Sequence, residues 1–394
     1  MHETFLIGVD IGKFNHWAAV ISSFGDLKVN SFSFTNDKQG FNKFYETVKP
    51  FLSQDHLIGM EDTSHYADNF RLFLLNKKLS VAMINPLSTD AFRKAALKST
   101  KTDKEDARFI CQVLMYPQLY RRVTLSDYDY TEIRELTRYH HNMQETNTRY
   151  KQQLQKDLDL VFPEFNSLFS APYGPTYMRI LDNFQSADMI ARTDIRRIRN
   201  VIHPKGSRGR SVSFSAEDLK SLAKNSVGHP NAIVEMEIKH LITLINDINT
   251  IIKDVDKKIE EFSIELNSPI LSIPGISHFS GTSIISEFGD INRFPDVNKA
   301  ISFTGTNPIV YQSGGYNAPM TRISKKGSKY LRKTLYQVIE PVIQHNQVFK
   351  DYYNKKRAEG KSHRCAQGHC VRKLVRVIYH LLTTGEDFDP TKLI

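Results

Sequence analysis

The chain has 394 residues, of which 40% are hydrophobic and 24% charged, and this length predicts two or three domains of a soluble globular protein. The 53 Lys and Arg residues outnumber the 43 Asp and Glu residues, and the net charge of +10 favours a polyanionic partner. The absence of an apolar run of about eighteen residues, of a signal-like start and of paired cysteines (there are three) excludes a membrane span, a secretion signal and a disulfide framework, so we expect a cytoplasmic protein.

Residues 1 to about 125 alternate between strand and helix patterns. Strands are predicted at Phe5–Ile11, His16–Ser22, Lys28–Phe34, His56–Glu61 and Val81–Ile84, and helices at Phe41–Val48 and Tyr66–Leu75. The order of three strands, helix, strand, helix, strand and closing helix predicts an α/β sheet with an antiparallel hairpin at its start.

The closing helix is predicted to begin at Thr102, because Thr102 and Glu105 have the S/T-x-x-E spacing of a capping box. Asp103 and Asp106 are three residues apart and therefore fall on one face of that helix. Two like charges near a docked face repel each other unless a cation lies between them. Acids in a first turn also interact favourably with the helix dipole. This helix alone therefore leaves two interpretations open, a cation site and an interaction of the acids with the dipole.

Four carboxylates together favour a metal site. Asp10 lies near the end of the first strand, Glu61 ends the fourth, and Asp103 and Asp106 lie on the closing helix. Sites in open α/β sheets gather where the strands end, and Mg²⁺ prefers oxygen ligands. Two such ions about 4 Å apart stabilise both the attacking and the leaving oxygen of a phosphodiester. A D-x-G sequence after one strand also occurs in sugar kinases, but the combined pattern predicts a site for two Mg²⁺ ions.

The middle region, residues 126–268, is helical by pattern. Helices are predicted at Tyr130–Leu160 and Asn231–Leu266, with a break at Val161–Pro163. The second helix carries apolar residues at steps of three and four, which indicates packing or oligomerisation through a coiled coil.

A basic segment, Arg192–Arg210, lies between the two predicted helices. Glycine and proline interrupt it, and a solvated loop is one interpretation. Contacts to the phosphates of DNA or of a guide RNA are the alternative. The candidate residues are Arg196, Arg197, Arg199, Lys205, Arg208 and Arg210.

The C-terminal region, residues 269–394, begins with a segment that resembles half of a helix-hairpin-helix. Pro269–Ile276 precedes a predicted helix at Phe279–Phe288, but Ser277 stands where the second glycine of the hairpin is usual. A further helix is expected within residues 294–303. Near the end of the chain, His363, Cys365, His369 and Cys370 lack the spacing of a common zinc site and indicate the start of a helix.

Ser313 precedes Gly314 and Gly315 in a segment that predicts a flexible, exposed loop. A serine hydroxyl in such a loop can attack a phosphodiester, although a Ser-Gly-Gly sequence alone indicates only a turn. A cluster of cations follows and favours an anionic ligand. Its members are Arg322, Lys325, Lys326, Lys329, Arg332 and Lys333.

Several of these stretches resemble one family. GVDIGK, GMEDTSHY, INP and TDKEDAR in the N-terminal region are similar to the DEDD transposases of bacterial insertion sequences. SIPGIS, FGDINRFPDVNKAISFTGTNP, YQSGG and RISKKGSKYLRKTLYQ are similar to the second conserved domain of that family. The resemblance follows the family's order and covers residues 1–125 and 269–394, with residues 126–268 as a helical linker that is long for the family.

The resemblance implies an RNase H-like (RuvC-like) N-terminal domain and a mainly helical C-terminal transposase domain. It implies that Asp10, Glu61, Asp103 and Asp106 are the metal-binding acids and that Ser313 is a nucleophile that forms a phosphoserine link to DNA. It further implies a composite site from different protomers, a dimer-to-tetramer assembly, a structured noncoding bridge RNA as guide, and a bacterial protein associated with the nucleoid.

Three other functions compete with an insertion-sequence recombinase. A Piv-type site-specific invertase would use the same chemistry on a fixed local substrate. A RuvC-like nuclease would hydrolyse DNA with metal alone and leave Ser313 without a role. A non-enzymatic nucleic-acid-binding protein would use only the basic patches, and it would keep every activity when the four acids are replaced.

Overall fold

The computed structural model describes residues 3–61, 65–95, 102–124, 130–204, 212–309, 312–313, 316–317 and 322–393. The chain divides into two compact units, Met1–Thr131 and Glu132–Ile394. The first is an α/β unit and the second is mostly helical. Over the described ranges, no helix combines the length and the apolar character that a bilayer crossing requires.

One mixed sheet of six strands organises the described part of the first unit. The strands are β1 (Phe5–Asp10), β2 (Asn15–Ser22), β3 (Leu27–Thr35), β4 (His56–Glu61), β5 (Val81–Ile84) and β6 (Tyr120–Val123). Their spatial order is β3-β2-β1-β4-β5-β6. β1, β4 and β5 are parallel, whereas β2, β3 and β6 run antiparallel to their neighbours.

Helices cover both faces of this sheet. They are α1 (Lys38–Val48), α2 (Asp68–Asn76), α3 (Pro86–Ala95) and α4 (Asp103–Val113). Phe44 of α1 and Phe70 of α2 pack with Ile7 and Ile58 on one face. α4 packs on the opposite face, where Ala107 and Cys111 join Leu6 and other residues of the strands. The sheet is thus buried on both sides, as its nearly continuous apolar strands predict.

The predicted α/β order is confirmed, with two additions that the sequence analysis missed. α3 begins with Pro86, a residue well suited to the first position of a helix. β6 has the sequence YRRV, and the two arginines at its centre mask the strand pattern. β6 pairs with β5 and extends the sheet by an antiparallel edge strand.

The second unit is built from eleven described helices. They are α5 (Thr131–Val161), α6 (Pro175–Asn183), α7 (Ala187–Arg192), α8 (Ile195–Ile202), α9 (Ala216–Lys224), α10 (Ala232–Leu266), α11 (His278–Phe288), α12 (Val297–Thr304), α13 (Lys329–His345), α14 (Gln347–Ala358) and α15 (His363–Thr384).

The two long helices α5 and α10 pair in an antiparallel arrangement. Asn147 donates to Asn249 at 2.7 Å, and Nε2 of His140 lies 3.0 Å from Asp256. These polar contacts are one heptad apart on both helices, which is the spacing of a coiled-coil seam. The apolar stripe of α10 also packs within the chain, since Ile242 joins a core with residues of α5 to α9.

One local interpretation in this unit needs correction. Arg196, Arg197 and Arg199 lie on α8 rather than in a loop. A single turn of 3-10 helix (Pro269–Ser272) precedes α11. Ser277 caps α11, because its hydroxyl accepts from the Ser280 N–H. Near the end of the chain, His363 and Cys365 begin α15, as predicted.

Candidate active-site residues

Asp10 and Glu61 end two neighbouring parallel strands. β1 and β4 pair in register as far as Val9 and Met60, so Asp10 and Glu61 are the next residues on each strand. Adjacent strands lie about 4.8 Å apart, and side chains two residues apart on a strand share a face. Both carboxylates therefore lie on the same face as Gly8 and Gly59, which is the face that α4 covers.

A pair of glycines lets α4 approach this face closely. Gly8 and Gly59 are direct partners across β1 and β4. A Cβ atom added at Gly8 would lie 2.2 Å from the Ala107 carbonyl oxygen, and one at Gly59 would lie 2.5 Å from Leu114 Cδ2. Any larger side chain would therefore push away the helix that carries Asp103 and Asp106.

Cys111 fixes the helix to the strand. The Gly8 N–H donates to Cys111 Sγ at 2.9 Å, and Sγ–H donates to the Ala19 carbonyl at 3.3 Å. Burial raises the pKa of this thiol to about 12, so it stays protonated and remains a donor. These contacts hold the C-terminal part of α4 on the sheet.

The two acids of α4 differ in their surroundings. The Thr102 hydroxyl caps the helix by accepting from the Glu105 N–H, as the sequence predicts. Asp103, the first helical residue, is exposed, whereas Asp106 is only 8% exposed. Asp106 Oδ1 accepts from Arg93 of α3 at 2.9 Å. A guanidinium thus neutralises the buried acid.

The donor set fits a hard divalent cation in its chemistry, since all four candidates are carboxylates. Asp10 and Glu61 lie side by side, while Arg93 is paired with Asp106. No cluster of three or more His, Cys, Asp or Glu side chains within the described ranges is arranged to hold a metal ion. Asp10 and Glu61 are therefore the residues best placed to share an ion in this conformation.

Ser313 ends a short strand rather than lying in an irregular loop. β7 (Gln312–Ser313) pairs with β8 (Tyr316–Asn317) in antiparallel register, with Ser313 opposite Tyr316. Gly314 and Gly315, as well as the Ser313 side chain, lie outside the description. A two-residue Gly-Gly connection is typical of tight β-hairpins, and this short-range signal explains the difference from the predicted loop.

A second antiparallel pairing joins the segment that follows α12 to the segment that precedes α13. The Ile309 N–H donates to the Arg322 carbonyl at 2.8 Å, and the Ser324 N–H donates to the Asn307 carbonyl at 2.8 Å. Pro308 forms a bridge with Ile323. Residues 305–309 and 322–325 thus form a two-stranded base, and we call the described residues 305–309, 312–313, 316–317 and 322–325 the serine arm.

A buried carboxylate supports the end of the serine arm. Glu287 of α11 is 3% exposed and accepts two hydrogen bonds from Arg138 of α5, at 2.6 and 3.0 Å. It also accepts from the Ser328 hydroxyl at 2.6 Å. Ser328 caps α13, since its Oγ accepts from the Leu331 N–H. The network therefore joins α5, α11 and α13 just beyond the arm.

The basic cluster predicted after Ser313 follows the base of the arm into α13. Arg322, Lys325, Lys326 and Lys329 are exposed. Arg332 donates to the Lys325 carbonyl at 3.2 Å, and Lys333 forms an ion pair with Glu145 at 2.9 Å. The cluster thus presents several cations beside the serine arm.

The other basic candidates lie on α8 or outside the description. Arg196 and Arg197 are exposed, and Arg197 stacks over Phe184 at 5.6 Å. Arg199 forms an ion pair with Glu217 at 2.5 Å. Lys205, Arg208 and Arg210 lie outside the described residues.

Sequence reasoning missed Arg93 and Glu287. Each forms an ion pair with a residue distant in the chain: Arg93 pairs with Asp106, and Glu287 pairs with Arg138. No local spacing identifies such pairs. The nearest available signal for Glu287 is a charged residue within the apolar run of α11, where a buried acid requires a partner.

Comparisons with known proteins agree with this architecture. A family model described as "Transposase" matches residues 7–163, and a model described as "Transposase IS116/IS110/IS902 family" matches residues 267–354. The chain is 24% identical to a 44.8 kDa protein of insertion element IS116 from Streptomyces clavuligerus, over 99% of this chain and 97% of that protein. It is 23% identical to a mini-circle putative transposase for IS117 from Streptomyces coelicolor, over 98% and 95% of the two chains. It is 20% identical to a 42 kDa protein of insertion element IS900 from Mycobacterium paratuberculosis, over 99% and 98%.

Proposed function

We propose that this chain, which belongs to the IS110/IS116 family of insertion-element transposases, cuts and rejoins DNA through Ser313 with the assistance of a carboxylate-bound divalent metal. One observation carries the proposal: Asp10 and Glu61 end adjacent parallel strands, directly beneath the helix of Asp103 and Asp106. This arrangement is that expected of an RNase H-like (RuvC-like) domain.

Asp10, Glu61, Asp103 and Asp106 would hold Mg²⁺. When bound, the metal supplies positive charge to the attacking and leaving oxygens of a phosphodiester. The chain's own part is positional: the close packing of α4 on Gly8 and Gly59 fixes the two helix acids relative to the strand acids. Arg93 neutralises Asp106 and would have to release it for the metal.

Ser313 would provide the nucleophile. Its Oγ forms a bond to phosphorus as the bond between phosphorus and the leaving deoxyribose oxygen breaks, and the serine proton leaves with a base. The resulting phosphoserine retains the ester for rejoining to a second strand. The β7–β8 pairing supports this role because it fixes the backbone of Ser313 opposite Tyr316. The cations that follow would bind the DNA phosphates.

A structured noncoding RNA would supply sequence specificity, in line with the resemblance to bridge-RNA-guided recombinases. The net charge of +10 supports a second polyanion besides the DNA. We further propose that the active form is a dimer or tetramer and that acids and serine from different protomers form one composite site.

The experiment is DNA cleavage with Mg²⁺, the element's RNA and a DNA fragment that contains the element end. Asp10→Asn and Glu61→Gln should each reduce cleavage by about a hundredfold or more, because each change removes charge from the carboxylate pair. Asp26→Asn, which alters an exposed acid of a turn in the same unit, is the matched control and should cleave normally. Unchanged cleavage by both site variants would refute the carboxylate role.

A further inference from the structure

A polar cavity in the second unit is, apart from Lys333, unused by the chemistry above. Its volume is about 870 Å³, and His140, His141, Glu145, Arg149, Phe279 and Lys333 contribute to its lining. A pocket of this size accommodates a nucleotide-sized ligand. It lies between α5, α11 and α13, on the same helices as the Glu287 network.

One wall of the cavity is aromatic. The ring centroids of His140 and Phe279 are 4.1 Å apart, and those of His141 and Phe279 are 5.1 Å apart. Phe279 is half-buried, so part of its ring contributes to the cavity surface. Aromatic surfaces of this kind stack on nucleobases without a strong sequence preference.

A polar atom on the same wall lacks a partner. His140 is 6% exposed, its Nε2 contacts Asp256, and its Nδ1 is buried without a hydrogen-bond partner in the described structure. Burial lowers the pKa of His140, so its ring is neutral and Nδ1 is an acceptor when Nε2 donates to Asp256.

The lining of the cavity also carries charge. Lys333 and Arg149 supply cations, while Glu145 pairs with Lys333 at 2.9 Å. A phosphate would therefore compete with Glu145 for Lys333. A second cavity of about 550 Å³ shares Phe279 and Gln337 with the first and extends to the start of α11, which gives room for the adjoining nucleotide.

We propose that this cavity binds an unpaired nucleotide, with the base against Phe279 and His140 and its phosphate at Lys333 and Arg149. The proposal deepens the proposed function, since it assigns one contact of that function's nucleic-acid partner. RNA and DNA share this chemistry, and the guide RNA and a displaced DNA strand are the two sources.

The test is binding of labelled single-stranded oligonucleotides of about 12 nucleotides, as RNA and as DNA, to the full chain in EDTA. A blunt duplex of the same DNA sequence is the comparison. Because no cleavage occurs in EDTA, failure of this proposal is distinguishable from failure of the serine and metal chemistry. The preferred single strand identifies the source of the nucleotide.

Phe279→Leu should weaken single-strand binding about tenfold and leave duplex binding unchanged. Lys333→Gln should weaken single-strand binding about threefold to tenfold. Glu145→Gln should tighten it about threefold, because Lys333 is released and an opposing charge is removed. This gain cannot arise from misfolding, which makes the set decisive even if Phe279→Leu folds poorly.

Two matched controls should bind like the parent chain. Lys239→Gln removes a lysine that is likewise paired with a carboxylate, at 2.7 Å from Asp182. Phe169→Leu removes a half-buried ring from an aromatic cluster elsewhere in the unit. Parental single-strand affinity in Phe279→Leu, Lys333→Gln and Glu145→Gln, or an equal loss for duplex and single strand in Phe279→Leu, would overturn the proposal.

Discussion

At the scale of single residues, the packing of the first unit depends on glycines, because they leave room for a helix to approach the sheet. Gly8 and Gly59 are neighbours across two strands, and α4 occupies the space that their Cβ atoms would need. The sequence identifies GVDIGK and GMED as motifs, but the reason for their glycines appears only when the helix is in place. The sequence therefore identifies the acids as candidates, whereas the packing that positions them is visible only in the structure.

Gly8→Ala should lower the free energy of unfolding by about 2 kcal/mol, because the new methyl group would lie 2.2 Å from a backbone oxygen that cannot move alone. DNA cleavage should fall further than stability explains, since α4 carries two of the acids. Urea unfolding and cleavage by the same preparation measure the two effects. Gly174→Ala, where the nearest atom to the new Cβ is 3.8 Å away, should change neither. Full activity in Gly8→Ala would contradict the positional role of this contact.

His141 makes the stability of the second unit depend on pH. Burial, followed by the charges of Lys333 and His140, lowers its pKa from 6.5 to about 4 in the folded chain. The unfolded chain therefore binds a proton first as the pH falls below 6.5, and the stability contribution of the neutral ring is lost progressively toward pH 4. Glu145 and Glu287 act in the opposite direction but are outweighed.

His141→Gln should flatten this dependence. Between about pH 7 and about pH 5, the parent chain should lose about 1–2 kcal/mol more unfolding free energy than the variant. Denaturant titrations at both pH values give the difference, which is independent of any uniform loss caused by the substitution. His203→Gln, at an exposed position, should follow the parent curve. Identical slopes for parent and His141→Gln would show that folding does not lower the pKa of the ring.

At the scale of elements, sequence periodicity and capping predict most of the long helices. α5 and α10 lie within a residue of their predicted bounds, and Thr102 caps α4 as expected. The partner of α10 is not predictable in this way, because an apolar stripe fits another segment of the chain or a second copy equally well. In the structure the stripe packs largely within the chain, and Asn147 and Asn249 fix the register with α5.

The Asn147–Asn249 hydrogen bond should stabilise the register between α5 and α10. Asn249→Leu alone should destabilise the chain by about 1–3 kcal/mol, because it leaves the buried Asn147 amide without its acceptor. Replacing both residues by leucine should recover most of that loss, with a coupling energy of about 1–2 kcal/mol in a double-mutant cycle. Strictly additive effects would indicate that the two residues do not form a pair in solution.

At the scale of the whole molecule, the fold and the family follow from motifs that occur in two separate parts of the chain. The four acids and Ser313 were proposed from the sequence because each lies in a short, recognisable phrase, and their roles stay predictions. Arg93, Glu287 and the cavity around Phe279 were not, since each depends on residues brought together from distant segments. The serine arm is intermediate: Ser-Gly-Gly indicates a turn, whereas the strand pairing and the base formed by residues 305–309 and 322–325 depend on contacts across the segment.

The serine chemistry is the central claim, and covalent trapping tests it most directly. The full chain, Mg²⁺, the element's RNA and labelled DNA are incubated, quenched in denaturant and separated on a gel. Ser324→Ala, in the base of the same arm, is the control for Ser313→Ala. We predict a protein–DNA adduct for the parent and for Ser324→Ala and no adduct for Ser313→Ala. Cleaved DNA without an adduct, at equal rates in parent and Ser313→Ala, would contradict the account and indicate a nuclease that acts with metal alone.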